Sequence, residues 1–148
     1  MPRDYLKADE AQALAEKTVI PKWHQDLADA AICYLEDSEN MKMKGKYILA
    51  KIRKATNVEN HLTGHDLVLI ISGPAWRSCT DEQKLALLDH EFCHVEKIVR
   101  EDGTEVLSMV GHDLEEFRAV VRRHGVWHVD IEMFKEDMQK SLDLQPVA

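Results

Sequence analysis

The residues best suited to chemistry in this sequence are His90-Glu91-Phe92-Cys93-His94, an HExxH motif. Histidines four residues apart lie on one face of an α-helix, about one turn apart, where two imidazole nitrogens can bind a tetrahedral Zn²⁺. Glu91 is displaced by roughly 100° around the helix axis, so its carboxylate can reach a metal-bound water without binding the metal. Zinc lowers the pKa of such a water to about 7, and a neighbouring carboxylate can accept its proton. The motif therefore predicts a zinc-dependent hydrolase with His90 and His94 as metal ligands and Glu91 as the general base.

Two histidines leave zinc short of the three protein ligands expected in a catalytic site. His112 is the preferred third ligand, because it follows a predicted hairpin that can fold back over the motif helix. Glu116, on the next predicted helix, is the alternative, and His124 and His128 rank lower. We predict one zinc ion per chain.

The motif must be carried by a helix, and the residues before it supply the signals for one. Thr80 occupies the N-cap position with Gln83 three residues later, which is a capping box. The apolar residues that follow recur at spacings of three and four, as on one face of a helix: Leu85, Leu88, Phe92 and Val95. Upstream, the apolar and β-branched run 66–72 predicts a buried strand that packs against this helix.

The remaining elements predict an α+β domain of the zincin type, in which a small β-sheet packs against the HExxH helix. Helices are predicted over 8–17 and 22–31, separated by Pro21, and over 113–124 and about 131–140. Strands are predicted over 31–35 and 46–54, with a hairpin formed by 97–100 and 105–110. One domain should span 1–148, with its core at about 22–140 and frayed ends at 1–7 and 142–148.

Composition narrows the classes of function. A chain of 148 residues suits one domain, and its formal net charge of −8 argues against a general nucleic-acid binder. No stretch approaches the roughly 20 apolar residues of a membrane span, and the charged N-terminus is unlike a secretory signal. The three cysteines are an odd number without CxxC spacing, which fits a reducing compartment. We expect a cytoplasmic protein that acts on a peptide or protein substrate.

HEFCH followed by GHDLEEF resembles the small metallopeptidase-like domains of phages and prophages, which carry an HExxH helix, a short hairpin and an HDxxEF-type segment. It is similar, more distantly, to SprT-type proteases. The resemblance covers about residues 66–127 and implies a peptidase with these site residues: His90, His94 and His112 as zinc ligands and Glu91 as the catalytic carboxylate. It also implies action in a bacterial host cell. Asp113 replaces the glycine of the SprT-type segment, so the SprT link to DNA–protein crosslinks is not carried over.

Several alternatives stay open at the level of sequence. The same residues could serve a zinc-stabilised domain that binds a protein without cleaving it, or a hydrolase of a non-peptide amide. His61 and His65 also have a spacing of four, but Gly64 predicts a loop there. The sequence does not rank the candidate donors to the oxyanion: Tyr34, Tyr47, Arg118 and His124.

Overall fold

The computed structural model describes residues 2–144 and divides into two compact units, Met1–Val110 and Gly111–Ala148. The described part of the chain contains both helices and strands, and the predicted α+β class is confirmed. The strands found in residues 2–144 lie in the N-terminal unit: β1 (Tyr5–Lys7), β2 (Ile32–Asp37), β3 (Met41–Met43), β4 (Lys46–Ile48), β5 (Ala50–Lys54), β6 (Leu67–Ser72), β7 (Val95–Val99) and β8 (Glu105–Met109).

The main sheet has four strands in the order β1-β2-β6-β5. Strands β2 and β6 run parallel, while β1 and β5 pair antiparallel with their neighbours at the two edges. Two further hairpins, β3–β4 and β7–β8, stand outside this sheet. The predicted hairpin after the HExxH motif is thereby confirmed as β7–β8.

Strand β6 is buried over its whole length, which confirms the buried strand predicted at 66–72. Its residues alternate between two apolar clusters, as period-two geometry requires. Leu67, Leu69 and Ile71 join the main core, and Val68 and Ile70 join a smaller cluster on the other face.

The single strand predicted over 46–54 is wrong, because the chain forms two strands there. β4 pairs with β3 in a local hairpin, whereas β5 pairs with β6 at the edge of the main sheet. The two strands have different partners, so Leu49 between them belongs to neither.

The N-terminal unit also contains the HExxH helix and the helices that precede it: α1 (Asp9–Leu14), α2 (Ile20–Trp23), α3 (Asn57–Thr63), α4 (Gly73–Ser78) and α5 (Asp81–Cys93), the last of which carries the motif. A π-type segment, Ala15–Val19, joins α1 to α2, and a 3₁₀ turn, Gln25–Leu27, follows α2. Helix α3 was not predicted from the sequence.

The break predicted at Pro21 is wrong, because the helical backbone runs without interruption from Asp9 to Trp23. Pro21 occupies the first turn of α2, just after the π-type segment. Proline is tolerated in the first turn of a helix, because the N–H that it lacks would have no hydrogen-bond partner there. The wider π turn before Pro21 creates a position of this kind inside a longer helix. The helix ends at His24, whose φ of −135° is not helical, so the helix predicted over 22–31 is absent.

The core begins earlier in the chain than the predicted 22–140. The helical stretch before Pro21 contributes buried residues to the main cluster: Ala8, Ala11, Ala15, Val19 and Ile20. Residues 5–7, predicted to be frayed, form β1 and pair with β2. The small side chains of this stretch allow the helix to lie close to the sheet. Hydrophobicity alone does not identify such small residues as part of the core.

The C-terminal unit contains α6 (Arg118–His124) and α7 (Val129–Leu144). The helix predicted over 113–124 is shorter than expected, since Phe117 takes an extended conformation at its N-cap. The helix ends at Gly125, as predicted, where a φ of 68° favours glycine. Helix α7 confirms the predicted final helix and includes 142–144 of the tail predicted to fray; 145–148 lie outside the described residues. Within residues 2–144, no helix has the length and apolar character needed to cross a membrane.

Candidate metal centre

Helix α5 is fixed at its start by a capping box and along its length by the core. The hydroxyl of Thr80 accepts a hydrogen bond from the Gln83 N–H (3.2 Å), and the Gln83 side chain accepts one from the Thr80 N–H (2.9 Å). The predicted capping box is confirmed, and of the predicted apolar face Leu88 and Phe92 are buried and Leu85 packs against the core, whereas Val95 lies on strand β7 and not on the helix. The helix contacts edge strand β5 and the π-type segment, and its buried residues are Leu87, Leu88, Glu91 and Phe92.

His94 lies just past the end of α5, at the C-cap, and not inside the helix as predicted. Its backbone N–H still bonds to the Glu91 carbonyl at 3.1 Å, but Val95 already begins strand β7. The pairing of β7 with β8 takes over from helical hydrogen bonding at this residue. HExxH therefore spans a helix-to-strand junction.

The His94 ring is oriented by strand pairing at the open end of the β7–β8 hairpin. The Val110 N–H donates to the His94 carbonyl at 2.7 Å. The His94 N–H bonds to the Glu91 carbonyl at the end of the helix, so it is not available for a second strand-type hydrogen bond to Val110. The imidazole Nδ1 donates to the Val110 carbonyl instead, also at 2.7 Å. A carbonyl oxygen only accepts, so Nδ1 carries the hydrogen and, in the neutral ring, Nε2 carries the lone pair.

His90 lies in the last turn of α5 and is exposed. Its ring is adjacent to that of His94, with centroids 5.2 Å apart and planes inclined by 75°. The spacing of four thus brings the two imidazoles together even though one of them stands at the C-cap.

Glu91 is the one buried acidic residue of α5, with only 5% of its surface exposed. Burial raises the pKa of its carboxyl group, and the nearby His94 lowers it to a smaller extent. A carboxylate rarely lies on the core side of a helix without a role, because removing its charge from water is costly.

All four candidate third ligands, His112, Glu116, His124 and His128, lie in the C-terminal unit. His112 is its second residue and is exposed, with Nδ1 3.7 Å from a carboxylate oxygen of Glu115. Glu116 was predicted to lie on a helix, but it precedes α6 and is not helical. Its carboxylate accepts a hydrogen bond from the Phe117 N–H at 2.8 Å.

Two sets of side chains among residues 2–144 have the residue types to hold a metal ion: the predicted His90, His94 and His112, which are divided between the two units, and His24, Asp89 and Cys93, which lie in one. The second set lies wholly within the N-terminal unit and was missed by the sequence analysis. Asp89 and Cys93 have a helical spacing of four, but His24 is remote in sequence, so no local motif could have indicated all three.

The other residues singled out from the sequence are placed elsewhere. His61 lies on the exposed side of α3 and belongs to neither set of ligands. Tyr34 is buried in the main core, where burial raises the pKa of its hydroxyl group, and Tyr47 is exposed on β4. A cleft of about 380 Å³ lies in the N-terminal unit, but none of the predicted site residues lines it.

A capped helix that carries HExxH, with one imidazole oriented through a backbone carbonyl, is typical of metal-binding hydrolases. Comparison with protein families makes this specific: the chain belongs to the family described as "Putative phage metallopeptidase", whose profile matches residues 3–141. The family resemblance noted in the sequence is thereby confirmed. No curated protein and no solved structure matches the chain.

Proposed function

We propose that the chain is a zinc-dependent peptidase in which His90, His94 and His112 hold one zinc ion and Glu91 acts as the general base. The observation that carries the proposal is the hydrogen bond from His94 Nδ1 to the Val110 carbonyl. Metal-binding histidines characteristically donate their other ring N–H to a carbonyl or carboxylate, which fixes the tautomer and the ring orientation. Membership of a metallopeptidase family supports the same reading.

The connectivity of the chain supports His112 as the third ligand in preference to Glu116. Val110 is hydrogen-bonded to His94 through both its N–H and its carbonyl group. Two residues of extended chain span at most about 7 Å, so the backbone of His112 starts close to this anchor point. Glu116 is four residues further along, and its carboxylate already accepts the Phe117 N–H.

The donor set fits zinc, because three imidazoles leave one of its four tetrahedral positions for water. When bound, zinc lowers the pKa of that water to about 7 and polarises a substrate carbonyl. Glu91 lies between the two histidines in sequence and is held by the core, so its carboxylate is fixed in place. In the proposed reaction it accepts the proton of the attacking water and passes it to the leaving amine.

The proposed substrate is an extended segment of a peptide or protein. Strand β5 is an edge of the main sheet and contacts α5, which supports docking of such a segment near the motif helix. An added strand would bind through main-chain hydrogen bonds and therefore with limited dependence on side chains.

Metal content tests the ligand assignment. Protein dialysed after exposure to zinc should retain an ion at this site, so His94→Ala and His112→Ala should each hold one zinc ion per chain fewer than the wild type. His61→Ala, which changes an exposed histidine on α3, is the matched control and should retain the ion. Failure of the wild type to bind zinc would refute the proposal, and a zinc content in His112→Ala equal to that of the wild type would reassign the third ligand.

Turnover tests the role of Glu91. Cleavage of a peptide library, read by mass spectrometry, should fall at least about 100-fold in Glu91→Gln, while the zinc content stays unchanged. Glu96→Gln, at an exposed position on β7, should cleave like the wild type. A zinc-loaded wild type with no cleavage would favour the non-catalytic binding domain, and activity confined to small amides would favour the non-peptide hydrolase.

A further inference from the structure

We propose that His24, Asp89 and Cys93 form a second metal site, distinct from the histidine site and suited to Zn²⁺. The three side chains belong to two parts of the N-terminal unit that are remote in sequence. His24 is the residue at which α2 ends, whereas Asp89 and Cys93 lie in the last two turns of α5.

The three side chains already point at one another. The His24 Nε2 atom lies 2.7 Å from the Asp89 Oδ1 atom, and the Cys93 thiol donates to the same oxygen at 3.8 Å. One ligand atom from each residue can be chosen such that all lie within 4.8 Å of one another. Ligands of a tetrahedral zinc ion stand roughly 3.3–3.8 Å apart, so the histidine and the carboxylate would have to separate slightly to admit the ion.

The chemistry of the set favours zinc over the hard cations. An imidazole nitrogen, a thiolate and one carboxylate oxygen are a mixed borderline-soft donor set, whereas Ca²⁺ and Mg²⁺ require six or more oxygen ligands. Binding of the ion would displace the thiol proton of Cys93 to solvent, and His24 would bind through Nε2 as a neutral ring with its proton on Nδ1. Water would occupy the fourth position.

The surroundings of the set provide both rigidity and access. The His24 side chain is only 11% exposed, and its ring lies against that of Phe92 with centroids 5.7 Å apart. Cys93 is exposed, so an ion can enter from solvent. The site has one ligand held by the core and one open to the solution, which is the arrangement of an accessible metal site.

The second set is independent of the histidine site, although both use α5. Positions 89 and 93 form one pair spaced by four, and positions 90 and 94 form another, rotated by about 100° around the helix. No side chain is shared between the two sets. The site could therefore exist even if the proposed peptidase function were wrong.

Cobalt substitution separates the two sites by their ligand chemistry. Co²⁺ bound through a thiolate gives a sulfur-to-metal charge-transfer band in the near ultraviolet, which a site made of histidines cannot give. Titration of the full-length protein with Co²⁺ under reducing conditions should produce this band. Cys93→Ser and His24→Ala should abolish it, while His94→Ala and the control Cys79→Ser should retain it.

The outcomes are decisive in either direction. Absence of the band in the wild type, or its persistence in Cys93→Ser, would overturn the proposal. Because His24→Ala removes a largely buried ring, its fold is checked by circular dichroism, and Asp89→Asn provides a milder variant that should weaken Co²⁺ binding by tenfold or more. Retention of the band in His94→Ala would uphold the second site even if that variant had lost all peptidase activity.

A structural readout tests the same site without cobalt. Zinc should raise the melting temperature of His94→Ala, because the ion binds the folded state and links the end of α2 to α5. The same addition should leave the His94→Ala, Cys93→Ser double variant unchanged. Equal shifts in both proteins would contradict the assignment of Cys93 as a ligand.

Discussion

Helices α3 and α5 begin in the same way but are held in place by different means. Each starts at a threonine whose hydroxyl accepts a backbone N–H three residues on, and each has a side chain at that third position that bonds back. Helix α5 then buries four of its residues, whereas α3 buries none. The two largest apolar side chains of α3, Val58 and Leu62, are 68% and 75% exposed.

The comparison teaches that the start of a helix and its anchoring are separate properties. A capping box satisfies the first free N–H groups and fixes where the helix begins. Burial of an apolar face fixes the helix relative to the rest of the unit, and most helical stability comes from that burial. Except for His24, the metal-binding candidates of the N-terminal unit lie at the end of this anchored helix.

Truncation of an anchoring side chain should give the largest effect. Phe92→Ala should lower the free energy of unfolding by about 3–5 kcal/mol, because it removes a fully buried ring from the main core. Leu62→Ala, on exposed α3, should change it by less than about 0.5 kcal/mol. Urea unfolding followed by circular dichroism measures both. Similar effects in the two variants would show that α3 is anchored as firmly as α5.

Removal of the two caps should give smaller and unequal effects. Thr80→Ala should cost about 1 kcal/mol of global stability, since α5 unfolds together with the core. Thr56→Ala removes the equivalent bond in α3, but this helix can open by itself, so the loss should appear as faster amide exchange over 57–63. Urea unfolding and hydrogen exchange distinguish the two responses. A global loss from Thr56→Ala equal to that from Thr80→Ala would contradict local opening.

The smallest effect concerns pH, because the two capping boxes differ in one residue. Hydrogen bonds from the Arg53 side chain, and then from the Thr56 N–H, lower the pKa of Glu59 to about 2. Since the unfolded value is about 4.3, this contribution to stability is complete above pH 4.3 or so and is lost as the pH falls towards 2. The corresponding residue in α5, Gln83, does not titrate.

Amide exchange over 57–63 should therefore accelerate as the pH is lowered from about 5 to 2, after correction for the intrinsic rate. The matched variant Glu59→Gln should lack this acceleration, and exchange in α5 should follow only the global stability. An identical pH profile in Glu59→Gln and the wild type would contradict the assignment.

Much of the surroundings of the motif could be predicted, because its signals are local. Short stretches of sequence are enough to predict three features: the capping box at Thr80, the apolar spacing of α5 and the buried strand β6. The same rule applied at Thr56 and Glu59 would have predicted α3, with Gly64 as its C-cap. That helix was not predicted because it buries no residue and therefore shows no apolar periodicity.

The rest depended on contacts between remote parts of the chain. The continuation of the helix through Pro21 requires a π-type segment that no propensity scale indicates. The position of His94 at the C-cap follows from the pairing of β7 with β8. The His24, Asp89 and Cys93 set unites the end of α2 with α5, and such long-range contacts leave no periodic signal.

The parallel pairing of β2 with β6 has a consequence for how the chain folds. β5 and β6 are joined through α3 alone, so their antiparallel pairing closes a short loop. β2 can pair with β6 only after the intervening chain, including β3, β4, β5 and α3, has been closed into a long loop. Loop closure of that length is entropically costly and slows folding. The β5–β6 pair should therefore form early, and the docking of β2, which completes the sheet, should set the folding rate of the N-terminal unit.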